Sequence, residues 1–419
     1  MAKRIGFIMP ELCENDNIYQ GYLKSKHGKT YVHNMLTNKE FNPEKVLAQL
    51  QYDFLNGTYK TSNYSVFKIY EPKERIIYRL PYVPDRIAHH CIMNVMEEFW
   101  TNKIPNTSYS CIKGRGVSGA YRYLKKVLKD EENTKYCLKA DVKKFFPNVN
   151  HRILKQVITR YIKDYEFLNI LYEIIDSIDS FVNSTNIGRK GYNLPIGNYL
   201  SQYFANLIIA QVVIKLRKKF PKLYIIVYMD DIVVLASTKE ILHEFRKELI
   251  KALREVDLEL KPNYQVFPVE IRGISFVGFI FYHKTIKLRK NIVYRIFRLC
   301  NKYINNRISK AQFKRSMASY YGWLKCADTK GLCIRIYNIT EVWYSNFKGR
   351  RVKISTLKGC TIKICHVNKH KKYFVIEAIY HNSPVEIQSG SKTLLKTLLS
   401  ERKSFTSNNI KNNILFTFK

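Results

Sequence analysis

Residues 223–237 read LYIIVYMDDIVVLAS. Two short, β-branched apolar runs flank Met229, Asp230 and Asp231. Runs of this length with polar ends predict adjacent buried strands joined by a tight turn. Aspartates in a hairpin have an ordinary explanation, because Asp satisfies turn backbone. A second stretch changes the weighing. Residues 136–149, YCLKADVKKFFPNV, place Asp141 at the end of another apolar strand, ahead of Lys143, Lys144 and two phenylalanines. A sheet that sets this strand beside the hairpin brings Asp141 and Asp230 together. Carboxylates that close repel unless cations lie between them.

Two Mg²⁺ ions, hard and oxygen-seeking, are the natural neutralisers, with Mn²⁺ as a substitute. Such a pair stabilises the attacking and leaving oxygens of in-line phosphoryl transfer. Composition points the same way. The 419 residues carry 71 Lys+Arg against 34 Asp+Glu, a net charge of +37. An excess that large repels itself unless it faces a polyanion, and nucleic acid is the leading candidate. A membrane surface is the weaker alternative, since neither a signal peptide nor an uninterrupted apolar span is evident. Nine cysteines without a CxxC pair argue against a disulfide framework and for reduced thiols, hence a cytoplasmic setting.

The chain opens with polar, helical sequence whose clearest helix is NPEKVLAQLQYDFLNG, residues 42–57, started by Asn42-Pro43 and stopped by Gly57. SVFKIYEPKERIIYRLPYV, from Ser65, alternates as a strand pair with a basic turn at Glu71 to Arg75. Helices are expected from Asp85, from Gly116, from His151 to Asp179, over Asn198–Phe220, from Thr238, and again from Arg289 to about Tyr344. Residues 347–419 are β-branched and hold only three acids, Glu377, Glu386 and Glu401.

At the two acidic stretches the chain resembles the reverse transcriptase family. ADVKKFF (140–146) looks like the family's first metal-binding motif and YMDD (228–231) like its second. LPIGNYLSQYFANL (194–207) is similar to the motif beneath the nascent base pair. LELKPNYQVFPV (258–269) and FVGF (276–279) look like the mobile loop and the primer-grip hairpin. The resemblance implies an α+β right-hand polymerase: an N-terminal region and fingers over 1–140, a palm over 141–288 with a fingers insertion around 151–195, a helical thumb over 289–346, and an appended basic, β-rich, OB-like domain over 347–419. It implies an RNA-directed DNA polymerase with RNA template, DNA primer and cDNA, and dNTPs as partners.

Carried onto this chain, the resemblance makes Asp141, Asp230 and Asp231 catalytic, with the Val142 carbonyl a further metal ligand and Lys261 a general acid toward pyrophosphate. Phe146 falls at the sugar gate, where a ring excludes a ribose 2′-hydroxyl; Phe145 reads as core. Lys73 and Arg75, with Arg79, would grip the triphosphate, a task that suits the planar guanidinium; the plainer reading is a solvated basic turn. Ile196 and Gly197 would line the nucleotide site. Asn198, Ser201 and Gln202 would face template or primer, although Asn198 also reads as a helix cap. Lys113 and Arg115 in SCIKGRG would touch template phosphates, and Gly278 would form the primer-grip turn.

Departures from the family pattern refine this. Ile196 stands where many relatives have glutamine, and Gln202 where they have proline. IGNYLSQ, YSCIKGRGVSGAY (109–121), LPYVPDRIAHH (80–90) and SYYGWLKCAD (319–328) instead resemble the reverse transcriptases of bacterial and phage diversity-generating retroelements. Those enzymes miscopy a template-repeat RNA opposite adenines and work with a small basic accessory protein. The rival readings are a defence-associated bacterial reverse transcriptase copying a dedicated non-coding RNA, and a catalytically idle RNA-binding scaffold. Two weaker signals are set aside. Cys360, Cys365, His366 and His370 lack standard zinc spacing. His89, His90 and Cys91 diverge around a helix. Tyr373, Phe374 and Tyr380 are candidates for base stacking.

Overall fold

The computed structural model of the chain describes residues 4–27, 42–70, 74–185, 188–340, 356–357, 360–368, 373–380 and 383–388. Its packing separates two units, Met1–Thr285 and Ile286–Lys419. Local signals act as read at the start of the first unit. The Asn42 side chain accepts the Lys45 N–H at 3.1 Å, and Pro43 follows where no N–H is needed. The helix Pro43–Leu55 buries Leu50 and Phe54, and Gly57 leaves it at a φ of 64°.

Alternating segments then form strands. β1 (Ser65–Ile69) and β2 (Arg75–Arg79) pair antiparallel, Ser65 opposite Arg79 and Ile69 opposite Arg75. β3 (Tyr136–Asp141), β4 (Tyr224–Tyr228), β5 (Asp231–Ala236) and β6 (Gln265–Pro268) build one antiparallel sheet in the order β4-β5-β3-β6. β7 (Ile274–Phe276) and β8 (Phe279–Phe281) form a hairpin across Val277 and Gly278, whose φ values are 39° and 91°. Positive φ at both loop residues matches the right-handed twist of the strands. The run ISFVGFIFY thus forms a hairpin.

The four-stranded sheet has two different faces because side chains alternate along each strand. Leu138 and Ala140 of β3, Ile225 and Val227 of β4, and Ile232 and Val234 of β5 join the hydrophobic core. The helices Tyr199–Lys219 and Lys239–Arg254 contribute Phe204, Leu207, Leu242, Phe245 and Leu249 to the same core. By length and composition the helix Tyr199–Lys219 could cross a membrane, which the sequence reading did not credit. It is buried on all sides over Tyr203–Ala210, and a core helix wrapped by neighbours has the same composition. The core continues into the N-terminal helices through Leu12 and Trp100, so packing does not break at position 141.

The second unit holds β9 (Ile286–Leu288) and the helices Lys290–Ile304, Lys310–Lys325 and Lys330–Thr340. A capping box of Ser309 and Gln312 starts the middle helix, and Tyr303 stacks on Phe313 at 4.7 Å. The strands β10 (Thr356–Leu357), β11 (Cys360–Asn368), β12 (Tyr373–Tyr380) and β13 (Ser383–Gln388) pair antiparallel in chain order. The β-rich character is as expected. The described strands form a meander, whereas an OB fold is a five-stranded Greek-key barrel. The side chains of Cys360, Cys365, His366, Tyr373, Phe374 and Tyr380, and all of His370, lie outside the described residues.

Candidate active site

Asp141 ends β3 and Asp231 begins β5, and the register sets the two opposite one another. Lys139 and Asp141 alternate onto the face turned away from the helices. Slipping β3 by one residue would drive Asp141 into the core, so the apolar pattern holds the register. Between β4 and β5, Met229 and Asp230 form a two-residue loop. Met229 sits at a φ of 58°, a left-handed conformation that costs a non-glycine residue roughly 1–2 kcal/mol.

Backbone hydrogen bonds hold this strained tip. The Val142 N–H donates to the Asp230 carbonyl at 3.0 Å, the Lys261 N–H to the Asp141 carbonyl at 2.9 Å, and the Lys143 N–H to the Glu259 carbonyl at 2.8 Å. The two acidic motifs and the Lys261 loop therefore meet through main chain. The adjoining segments attach likewise. The Leu194 N–H donates to the Phe146 carbonyl, and the Tyr78 N–H to the Ile196 carbonyl, both at 2.9 Å. At Gly197, φ 128°, a Cβ would come within 2.3 Å of the Tyr78 carbonyl oxygen, so only glycine permits this approach to β2.

Asp230 and Asp231 divide their work. Lys139 Nζ donates to Asp231 Oδ2 at 3.1 Å and also to the Ser275 carbonyl of β7. Tyr228 meets Phe276 edge-on at 6.3 Å, on the same side of the sheet. Lys139 thus ties the aspartate hairpin to the β7–β8 hairpin, a role the sequence reading missed. A lysine two residues before Asp141 was the available signal. The expected convergence of three carboxylates is altered accordingly. Among the described residues, the trio with ligand atoms all within 4.8 Å of one another is His151, Asp176 and Asp179. Protein hydrogen bonds already serve that trio, from Lys155 to Asp176 and from the Gly191 N–H to Asp179. The donors at the β3–β5 end still suit a hard divalent cation. They are half-buried carboxylate oxygens on a locked backbone, and the Val142 carbonyl accepts no hydrogen bond among the described residues.

The other expected residues separate into two groups. Arg75, Arg79, Lys113 and Gly197 are exposed, while Phe146, Ile196, Gln202 and Lys261 are half-buried. Phe145 is buried, as a core residue should be. Gly278 forms its turn, and Lys73 lies outside the described residues. Three expectations are corrected. Arg115 is not presented to a phosphate: its guanidinium donates to the carbonyls of Pro105 (2.8 Å), Ser108 (3.1 Å), Ile104 and Thr101 (both 3.4 Å) and to Asn106 Oδ1 (3.3 Å). Its two terminal amino groups, Nη1 and Nη2, fold the preceding loop. Asn198 and Ser201 are turned inward, at 5% and 3% exposure. Asn198 occupies the N-cap position without capping; its amide donates to the Tyr64 hydroxyl at 2.9 Å. His89 is a core residue, and burial pushes its imidazole down to about 3, so it stays neutral.

Three substitutions test these assignments. Arg115→Ala should destabilise the fold by about 2–3 kcal/mol while leaving the salt dependence of RNA binding unchanged; Lys113→Ala should reduce that salt slope by about one. A salt slope lowered by Arg115→Ala would return it to the phosphate contacts. Lys139→Met should cost about 2 kcal/mol in denaturant unfolding. It should also tighten Mn²⁺ binding several-fold in an electron paramagnetic resonance titration, since a competing cation is gone. Unchanged Mn²⁺ affinity would remove Lys139 from the site's electrostatics.

Residues 71–281, half of the chain, match the family described as reverse transcriptase (RNA-dependent DNA polymerase). Protein YkfC of Escherichia coli strain K12 is 26% identical over 180 residues, which are 41% of this chain and 46% of that protein. The chain thus spans about half the length of this curated relative. Among solved structures, an apo telomerase of Candida tropicalis, truncated from its C-terminal domain, overlaps with a TM-score of 0.41 at 13% identity, covering 55% of each chain. A telomerase of Candida albicans in complex with a fragment of telomeric RNA overlaps with a TM-score of 0.41 at 12% identity, over 66% of this chain and 59% of that one. The match covers both aspartate motifs, the Gly197 loop and the β7–β8 hairpin, and this chain belongs to the reverse transcriptase family, with its right-hand polymerase fold.

Proposed function

We propose that the chain extends a DNA primer on an RNA template, and that it does so as an error-prone copier of a template-repeat RNA in a diversity-generating retroelement. The observation that carries the polymerase reading is the strand-end arrangement. Asp141 stands opposite Asp231, Asp230 is locked to Val142, and these acids sit in a chain of net charge +37. Isolated acids on so basic a protein have a use where they recruit cations to a polyanion.

Asp141 and Asp230, with the Val142 carbonyl, would hold two Mg²⁺ ions. When bound, these would supply charge stabilisation to the attacking hydroxyl and the departing pyrophosphate. Asp231, paired with Lys139, orients the hairpin. Arg75 and Arg79 on β2 reach toward the triphosphate, with Lys73 beside them in sequence. Phe146 bars a 2′-hydroxyl, Gly197 lets backbone approach the base pair, and Lys261 gives a proton to pyrophosphate. Lys113 and Gln202 contact the template strand, Gly278 turns the hairpin that carries the primer end, and the helices of residues 290–340 follow the duplex. Free thiols, among them Cys13, Cys91 and Cys137, agree with a reducing bacterial cytoplasm.

The retroelement reading rests on the sequence departures, above all Ile196. An apolar side chain there removes a hydrogen-bonding contact beside the nascent pair, and unmade polar contacts weaken discrimination. A small basic accessory protein would be the partner in that setting.

Primer extension on RNA with Mg²⁺ tests the first reading. Asp141→Asn and Asp230→Asn should each lose at least about 10²-fold in rate, the scale of a lost transition-state stabiliser. A wild type that stays inactive with its cognate RNA and partner would favour an RNA-binding scaffold. For the second reading, Ile196→Gln should lower misincorporation opposite template adenines. An unaltered error spectrum would sever the link between Ile196 and fidelity.

A further inference from the structure

The helix His151–Thr159 starts shortly after Phe146, and its first side chain is turned inward, at 3% exposure. Both ring nitrogens of His151 meet acceptors. Nε2 lies 2.9 Å from the Asn193 carbonyl oxygen, and Nδ1 lies 3.2 Å from Asp176 Oδ1. A carbonyl oxygen can only accept a hydrogen bond, and so can an ionised carboxylate. Burial would raise the Asp176 carboxyl, but the bonds from His151 and Lys155 outweigh burial and hold it below the usual carboxylate range. Asp176 is therefore ionised, and its Oδ2 is taken by the Lys155 ammonium. An imidazole that makes both of its bonds here carries two protons.

What His151 grips is the segment that leads into Ile196 and Gly197. Its backbone N–H donates to the Gly191 carbonyl at 2.9 Å, and the Gly191 N–H donates to Asp179 Oδ1 at 2.9 Å. Asn193 stands at a φ of 85° and is 9% exposed. Asparagine tolerates this left-handed conformation better than most residues, but the surroundings must still hold it there. Support comes from both sides of the residue. The Asn193 N–H donates to the Val149 carbonyl at 3.1 Å, and the Asn193 carbonyl accepts from His151. Leu194, next in the chain, is fixed to Phe146 at 2.9 Å. Most of these ties are main chain to main chain and indifferent to side-chain identity. The tie at the Asn193 carbonyl depends on one imidazole.

We propose that His151 is a positioning residue for the polymerase: as an imidazolium it clamps the Asn193 carbonyl to Asp176, and so sets where Ile196 and Gly197 stand against the incoming nucleotide. Its effect at the nucleotide rests on the polymerase site proposed above; the clamp itself does not. The sign of the pH dependence follows from the bonds. At low pH the ring holds both protons and the clamp is whole. As pH rises, the Nδ1 proton leaves while the Nε2–H stays on the carbonyl. The bare Nδ1 lone pair then faces the Asp176 carboxylate and is repelled. Other charges around the ring bear on the same proton. Asp176 and Asp179 favour it, whereas Lys155, Arg152, Arg160 and Arg4, which line a cavity of about 890 Å³ together with His151, oppose it.

Hydrogen exchange and steady-state kinetics on the full chain test the proposal together. His151→Leu removes both donors, whereas His151→Gln puts an amide N–H near the place of Nε2–H and does not titrate. In His151→Leu the amides of residues 191–197 should exchange at least about tenfold faster. The KM for dATP on an RNA template should rise about tenfold, with kcat changed less than about threefold. His151→Gln should recover most of the protection and most of the KM. In wild type that KM should climb from about pH 5.5 to about pH 8.5, a range that spans the ordinary imidazole value near 6.5. The ratio of the wild-type KM to that of His151→Gln should climb with it, which cancels titration of the nucleotide itself. A ratio that stays flat overturns the clamp, even where His151→Leu fails to fold by its melting temperature. Unchanged exchange at residues 191–197 in a folded His151→Leu, or a loss confined to kcat, overturns it as well. Faster exchange in His151→Leu, with no primer extension by wild type, would overturn only the polymerase reading.

Discussion

The antiparallel register of β3 against β5 is the constraint on which this protein depends. It sets Asp141 opposite Asp231 and turns Leu138 and Ala140 into the core. The core enforces the register because sliding by one residue exchanges the faces of the strand. Burying a carboxylate in place of an alanine methyl would cost far more than the strained Met229 loop. The hydrophobic packing of the sheet against two helices is therefore what positions the acids.

From that strand end, main-chain hydrogen bonds extend outward in both directions. Val142 reaches Asp230, Asp141 reaches Lys261, Phe146 reaches Leu194, and Ile196 reaches Tyr78. Backbone contacts of this sort specify position without restricting side-chain chemistry. The Ile196 carbonyl accepts the Tyr78 N–H through main chain, a contact that does not depend on the side chain at 196. Lys139 bridges segments through its side chain, joining Asp231 to the β7–β8 hairpin. It also places a positive charge beside the carboxylates, where it offsets their mutual repulsion.

Charge organises the remainder. A net charge of +37 does not spread evenly in its effects. Some cations are structural, such as Arg115, whose guanidinium folds the loop of residues 101–108. Others are exposed, such as Lys113 and Arg75. A third set, Lys143, Lys144, Arg189, Arg246 and Arg254, lines one cavity with Lys261. These three kinds of basic residue look identical in composition and differ only in what acceptors the fold offers them.

Much was legible in the chain alone. The alternating runs declared the strands, the Asn42-Pro43 start and Gly57 stop bounded a helix, and the order of motifs announced the polymerase fold, because each signal is local. The sequence also determined that Asp141, Asp230 and Asp231 sit at strand ends, since apolar runs stop there. What stayed hidden needed three dimensions. Asn198 and Ser201 lie on a motif that suggested contact, yet the helix they begin is wrapped on every side and turns them inward. Arg115 found carbonyls rather than phosphates, and Lys139 found Asp231, 92 positions away. Hydrogen-bond partners and burial depend on which distant segments meet, and only tertiary packing decides that.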